Sequence, residues 1–121
     1  MRIPGPDHPI TMEPNPNRVR VSLGGQVVAD TTRALTLREA NYPPVFYIPR
    51  EDAAMALFHR TDHSTQCPFK GEASYFSLDA GGRRAENAVW SYEQPFPAVA
   101  AIAGHLAFYP TRVDSIEESP A

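Results

Sequence analysis

The sequence predicts a mainly β fold: a small antiparallel domain with one or two short helices. Three observations carry that expectation. Short apolar runs alternate with polar residues at period two, as half-buried strands do. Glycine pairs punctuate these runs at Gly24-Gly25 and Gly81-Gly82, where a hairpin would turn. Helical stretches alternating with strands, the mark of a parallel sheet, are missing, and no internal repeat is present. A length of 121 residues fits one domain.

Taken in order, five of the 13 prolines lie at or before Pro16. Residues 1–17 therefore read as a Pro-rich arm that favours extended backbone. Val19, Val21 and Leu23 alternate with Arg20 and Ser22, Gly24-Gly25 turns, and Gln26 to Ala29 returns. Ala34 to Leu37 suggests a third strand, with Arg38-Glu39-Ala40 permitting a helical turn, and Val45 to Ile48 is a short β-rich run. Pro49-Arg50-Glu51-Asp52 reads as a helix start running to about His59. Thr61 to Gly71 reads as irregular. Ala73 to Leu78 is apolar on both faces, which predicts a central strand. Glu86 to Glu93 pairs back, Ala98 to Ala103 forms helical turns, and His105 to Tyr109 is the last clear strand. Residues 18–115 thus form the domain, and 116–121 an acidic tail expected to fray.

Composition narrows the function classes. Of eleven basic residues ten are Arg and one is Lys, Lys70, and the single Cys, Cys67, lies three positions before it. One Cys excludes an internal disulfide framework and any multi-Cys zinc site. A net charge of −3 argues against a nucleic-acid partner. No apolar run approaches the ~20 residues of a membrane span, and Met1 to Pro9 has no apolar signal core. The expectation is a cytoplasmic protein with a free thiol.

Several strings resemble a known family. They are His8-Pro9-Ile10, Tyr47-Ile48-Pro49-Arg50-Glu51-Asp52, Thr65 to Tyr75 (TQCPFKGEASY), Asn87 to Glu93 (NAVWSYE) and Ile102 to Pro110 (IAGHLAFYP). Together they resemble the bacterial and fungal family known as domain of unknown function 427, over about residues 8 to 115. The resemblance implies a β-tent-like fold, two small antiparallel sheets meeting at an angle. Other β-tent domains hold zinc with paired Cys-x-x-Cys motifs, and with one Cys here that metal is not carried over. The resemblance implies no established activity.

Candidate chemistry centres on the Thr65 to Gly71 string. An ammonium at Lys70 or an imidazole at His63 beside Cys67 would favour a nucleophilic or redox thiol. The competing reading is an inert, buried Cys. Lys70 with Gly71 suggests an anion site, supplemented by Arg50 at a helix start; the alternative is ion pairing of Lys70 with Glu72 or Glu93. Tyr47, Tyr75, Phe76, Trp90, Tyr92, Phe108 and Tyr109 supply core and, for one or two of them, a pocket wall. Trp90 and Tyr92 share one face, with Asn87 and Ser91 nearby. Glu51, Glu72 and Glu93 are candidate acid–base carboxylates. His59, His63 and Cys67 have spacing for a helical metal site, but Thr61, Ser64 and Pro68 oppose the helix, and no metal or other cofactor is expected. There is no Gly-rich phosphate loop. The expected site therefore holds Cys67, Lys70 and Glu72 as chemical groups and Arg50, Tyr75, Asn87, Trp90 and Tyr92 as ligand contacts. Its expected occupant is a small polar or anionic molecule. The alternative is a non-catalytic module that binds a peptide or partner subunit, a homodimer included.

Overall fold

A computed structural model describes residues 1–121. The chain is mostly strand, arranged in three antiparallel sheets where the resemblance implied two. The first holds β1 (Ile10–Asn15), β4 (Ala34–Glu39) and β5 (Val45–Tyr47), in the order β1-β4-β5. The second has the order β10-β2-β3, from β2 (Arg18–Leu23), β3 (Gln26–Thr31) and β10 (Ser115–Ser119). The third runs β6 (Phe58–Cys67), β7 (Gly71–Ala80), β8 (Arg83–Ser91) and β9 (Ala107–Phe108). No helix is long and apolar enough to cross a membrane.

β7 is central, as its two apolar faces predict, lying between β6 and β8. Its alternate residues feed different cores. Phe76, Leu78 and Ala80 join the larger one, with Val19, Val21 and Leu23 of β2. Ala73 and Tyr75 join the smaller one, with Leu37, Tyr47 and Ile102. The four-stranded sheet is thus covered on both faces, the second sheet meeting one and the first sheet the other. Because the side-chain period is two, a one-residue slip of β7 would exchange the two sets and empty both cores.

Four expectations need correction. No helix runs from Pro49 to His59. The segment makes two single 3₁₀ turns, Arg50–Asp52 and Met55–Leu57, before becoming β6. Between them Ala53 is extended and bridges Ala29, and the Ala54 N–H donates to Val28 O at 2.9 Å. Bonding to β3 takes the donor a helix would have used. Thr61 to Cys67 is strand rather than loop: as the outer strand of its sheet β6 is exposed on both sides, so apolar alternation is absent. Within the Pro-rich arm, residues 10–15 form β1, whose Pro14 is tolerated because β1 is an edge. The acidic tail does not fray as a unit, since Ser115–Ser119 pairs along β2. Glu118 there accepts bonds from the Asn15 and Asn17 amides at 2.8 and 3.0 Å, which hold its carboxyl below the usual range.

The two glycine turns touch each other. Gly24 and Gly81 both have positive φ, and a Cβ on either would overlap the backbone of the opposite turn. Gly82 also has positive φ, but open space surrounds its Cβ direction. Gly82→Ala should therefore cost only the left-handed backbone, roughly 1–2 kcal/mol. Gly81→Ala should cost at least about twice that, because the turns must also separate. Urea unfolding of the two variants measures the difference, and equal losses would refute the turn contact.

Candidate functional site

A cleft of about 410 Å³ opens where the first sheet meets the four-stranded sheet, at the rim of the smaller core. Strand alternation sets its walls. β4 turns Leu37 and Glu39 to one side while Arg38 faces solvent. β5 contributes Val45 and Tyr47. On the other wall Trp90 of β8 sits directly opposite Tyr75 of β7, and Tyr92 continues the same face. Thr65, Tyr109 and the exposed Tyr42 complete the mouth.

Lys70 enters from the turn joining β6 to β7, where Cys67 pairs with Gly71. The turn is held on both sides. Lys70 O accepts the Phe96 N–H at 2.9 Å, and Pro68 O accepts the Arg2 N–H at 2.7 Å. Phe69 stacks on the His8 ring, centroids 4.0 Å apart and planes nearly parallel. So fixed, Lys70 is only 7% exposed. Its Nζ donates to Glu39 Oε1 at 2.5 Å and to Cys67 Sγ at 3.6 Å, and lies 5.9 Å from the centre of the Tyr92 ring. Glu39 Oε2 takes a second bond from His8 Nε2 at 2.7 Å, the imidazole donating because a carboxylate only accepts. Burial alone would raise the Glu39 carboxyl, but the bonds from Lys70 and His8 outweigh it and hold the group below the ordinary range.

The tyrosines form a wall of hydroxyls. Thr65 Oγ1, Tyr75 Oη and Tyr109 Oη make a chain with links of 2.9 and 3.1 Å. Tyr109 also packs on Trp90, centroids 4.6 Å apart, and carries the Arg112 guanidinium on its ring. Trp90 Nε1–H donates to Tyr47 Oη at 3.2 Å. Tyr92 is 7% exposed, and its hydroxyl has no partner in the chain. Burial pushes the Tyr47 and Tyr92 hydroxyls well above the usual range, the Trp90 bond only partly offsetting it for Tyr47. Burial and the Tyr75 bond push Tyr109 up to about 12. All three stay protonated, hence donors, through neutral pH.

Of the residues expected at the site, Lys70, Tyr75, Trp90 and Tyr92 line the cleft, and Cys67 stands behind Lys70. Three lie elsewhere. Glu72 is exposed on the opposite face of β7 from Ala73 and Tyr75, with Gln66 as its neighbour at 3.4 Å. Arg50 is bound to Gly104 O, Ser91 Oγ and Glu93, over the Phe76 ring. Asn87 has positive φ at a bulge in the β7–β8 ladder, where Ser77, Thr61 and Arg112 bind it. The acid that pairs Lys70 is neither Glu72 nor Glu93 but Glu39, with His8 behind it. Extending the β4 alternation from Leu35 through Leu37 points to that inward carboxylate. No three His, Cys, Asp or Glu side chains converge where a metal ion would bind.

Fold and site together define a small antiparallel β domain with an aromatic cleft built around a buried ammonium–carboxylate pair. The chain belongs to the family described as Domain of unknown function (DUF427), whose model matches residues 11–119. No curated protein matches the sequence.

Two predictions follow from the cleft. Glu39→Gln leaves the Lys70 charge buried without its counter-ion and should cost about 3 kcal/mol; adding Lys70→Met should restore most of that loss in urea unfolding at neutral pH. The depressed Glu39 carboxyl contributes stability above its unfolded value of 4.5 and loses it as pH falls through the folded value, so Glu39→Gln should also flatten the acid limb. The three raised tyrosines work the other way, stabilising below about pH 10 and ceasing to as pH rises. Absorbance at 295 nm should show at most a minority of the five tyrosines ionised while the protein remains folded at high pH. A full five-tyrosine titration near pH 10 in the folded state would contradict the buried wall.

Proposed function

We propose that this domain binds a small molecule through an oxygen acceptor, a carboxylate in particular. One observation supports this most: Lys70, Tyr47 and Tyr92 line the cleft, each with a proton that no atom of the chain accepts. Lys70 has three protons, one used by Glu39 and one by the weak acceptor Cys67. Tyr47 already accepts from Trp90, so its own proton remains to be given. The Tyr92 hydroxyl donates to no atom of the chain. Each can give that proton to a ligand's oxygen, a hydrogen bond worth about 0.5–1.5 kcal/mol net. The cleft has the volume usual for a small-molecule site, about 300–1,000 Å³.

The charge balance favours a carboxylate over a cation or a phosphate. Both oxygens of Glu39 are engaged, so an incoming cation would meet Lys70 before any free carboxylate. One ammonium, shared with Glu39, is too little for a phosphate dianion. Thiol or acid–base chemistry on the bound molecule is a second reading, favoured by the closeness of Cys67 Sγ to Lys70 Nζ.

Thermal shift with benzoate tests the proposal. At a hundredfold excess over Kd, benzoate should raise Tm by roughly 5–10 °C. Tyr92→Phe should weaken the shift, and Lys70→Met, in the Glu39→Gln background, should abolish it. No shift, or one indifferent to both variants, would overturn the reading in favour of an interaction module.

A further inference from the structure

A second cavity of about 440 Å³ adjoins the cleft and shares Tyr42, Val45 and Trp90 with it. Its floor reaches the larger core at Val21, Ile48 and Phe108, and Phe46 and Ile116 form its sides. No charged side chain lines it. Pro43, Pro44 and Pro110 stand at its edge and offer no N–H. The cavity favours apolar bulk.

Trp90 stands between the two compartments and lines both. Its Nε1–H is tied to Tyr47, a cleft residue, and its ring is packed by Tyr109. Val45 and Tyr42 border both spaces, and Tyr42 is exposed over the junction. On one side of that junction stand the spare protons of Lys70, Tyr47 and Tyr92, and on the other a mainly apolar lining.

We infer that the domain binds amphipathic monocarboxylates, with the carboxylate at Lys70 and Tyr92 and an alkyl or aryl tail passing Trp90 into the apolar cavity. The assignment rests on the carboxylate reading above and extends it to the whole ligand. A single negative charge matches the single ammonium. A hydrocarbon tail matches a cavity with a mainly apolar lining and no charged side chain.

The test is a calorimetric titration with acetate, butanoate, hexanoate and octanoate, read in parallel by the fluorescence of Trp90, the chain's one tryptophan. Octanol and octyltrimethylammonium serve as neutral and cationic counterparts. Affinity should rise about fourfold for each methylene that reaches the apolar cavity. Octanoate should then exceed butanoate by about 100-fold or more, and Trp90 emission should shift with it. Ile116→Ser should flatten the chain-length dependence and spare butanoate. Tyr92→Phe, which keeps the ring, should weaken every carboxylate by a similar factor of about 5–10. Short carboxylates binding with no chain-length dependence would overturn the two-compartment ligand and leave the carboxylate site standing. Failure of every carboxylate, or octyltrimethylammonium binding as tightly as octanoate, would overturn both.

Discussion

The buried pair of Lys70 and Glu39 is the interaction on which the arrangement around the cleft depends. An ammonium cannot be taken from water without a partner, and the partner comes from β4, 31 residues earlier in the chain. Joining them ties the turn after β6 to the first sheet. The Phe69–His8 stack, the Arg2 and Phe96 backbone bonds and the second hydrogen bond on Glu39 hold the same turn and carboxylate. Replacing such a pair by hydrocarbon is often neutral or stabilising, so stability alone does not account for it. A ligand that uses the remaining proton of Lys70 supplies a reason.

The tyrosine wall follows from the same constraint. Around a neutralised ion pair, burial favours groups that donate without ionising, and tyrosines with raised hydroxyls do so. Their rings complete the smaller core, and their oxygens reach the cleft. Packing and the polar lining of the cleft are therefore carried by the same side chains. The cost is that substitutions at Tyr47 or Tyr75 confound stability with binding. Tyr92, whose oxygen bonds nothing in the chain, separates the two.

Much of the fold was readable from sequence, and the failures have physical causes. Period-two alternation located β2 and β7, the glycine turns added their partners β3 and β8, and an apolar run marked β4, because each has at least one buried face. It could not reveal β6, an edge whose side chains are solvated on both sides, or β1, whose Pro14 reads as a breaker until it is placed at an edge. The Pro49 to His59 helix was a local reading overridden by pairing of Ala53 and Ala54 with β3. At the site, Lys70, Tyr75, Trp90 and Tyr92 were found through one motif and one shared strand face. Glu39 and His8 were not, because a pairing across 31 residues leaves no mark in local spacing. Arg50, Glu72 and Asn87 belong to the same motifs but fold to other faces, where they support the scaffold.

The most direct measurement uses the rarity of lysine in this chain. With Lys70 the only one, protein carrying ¹³C at lysine Cε yields a single side-chain methylene signal, which reports the ammonium inside the cleft. Titration with octanoate should move that signal saturably, at the concentration that saturates Trp90, and octanol should leave it in place. A signal unmoved by octanoate, or moved equally by octanol, would contradict the account.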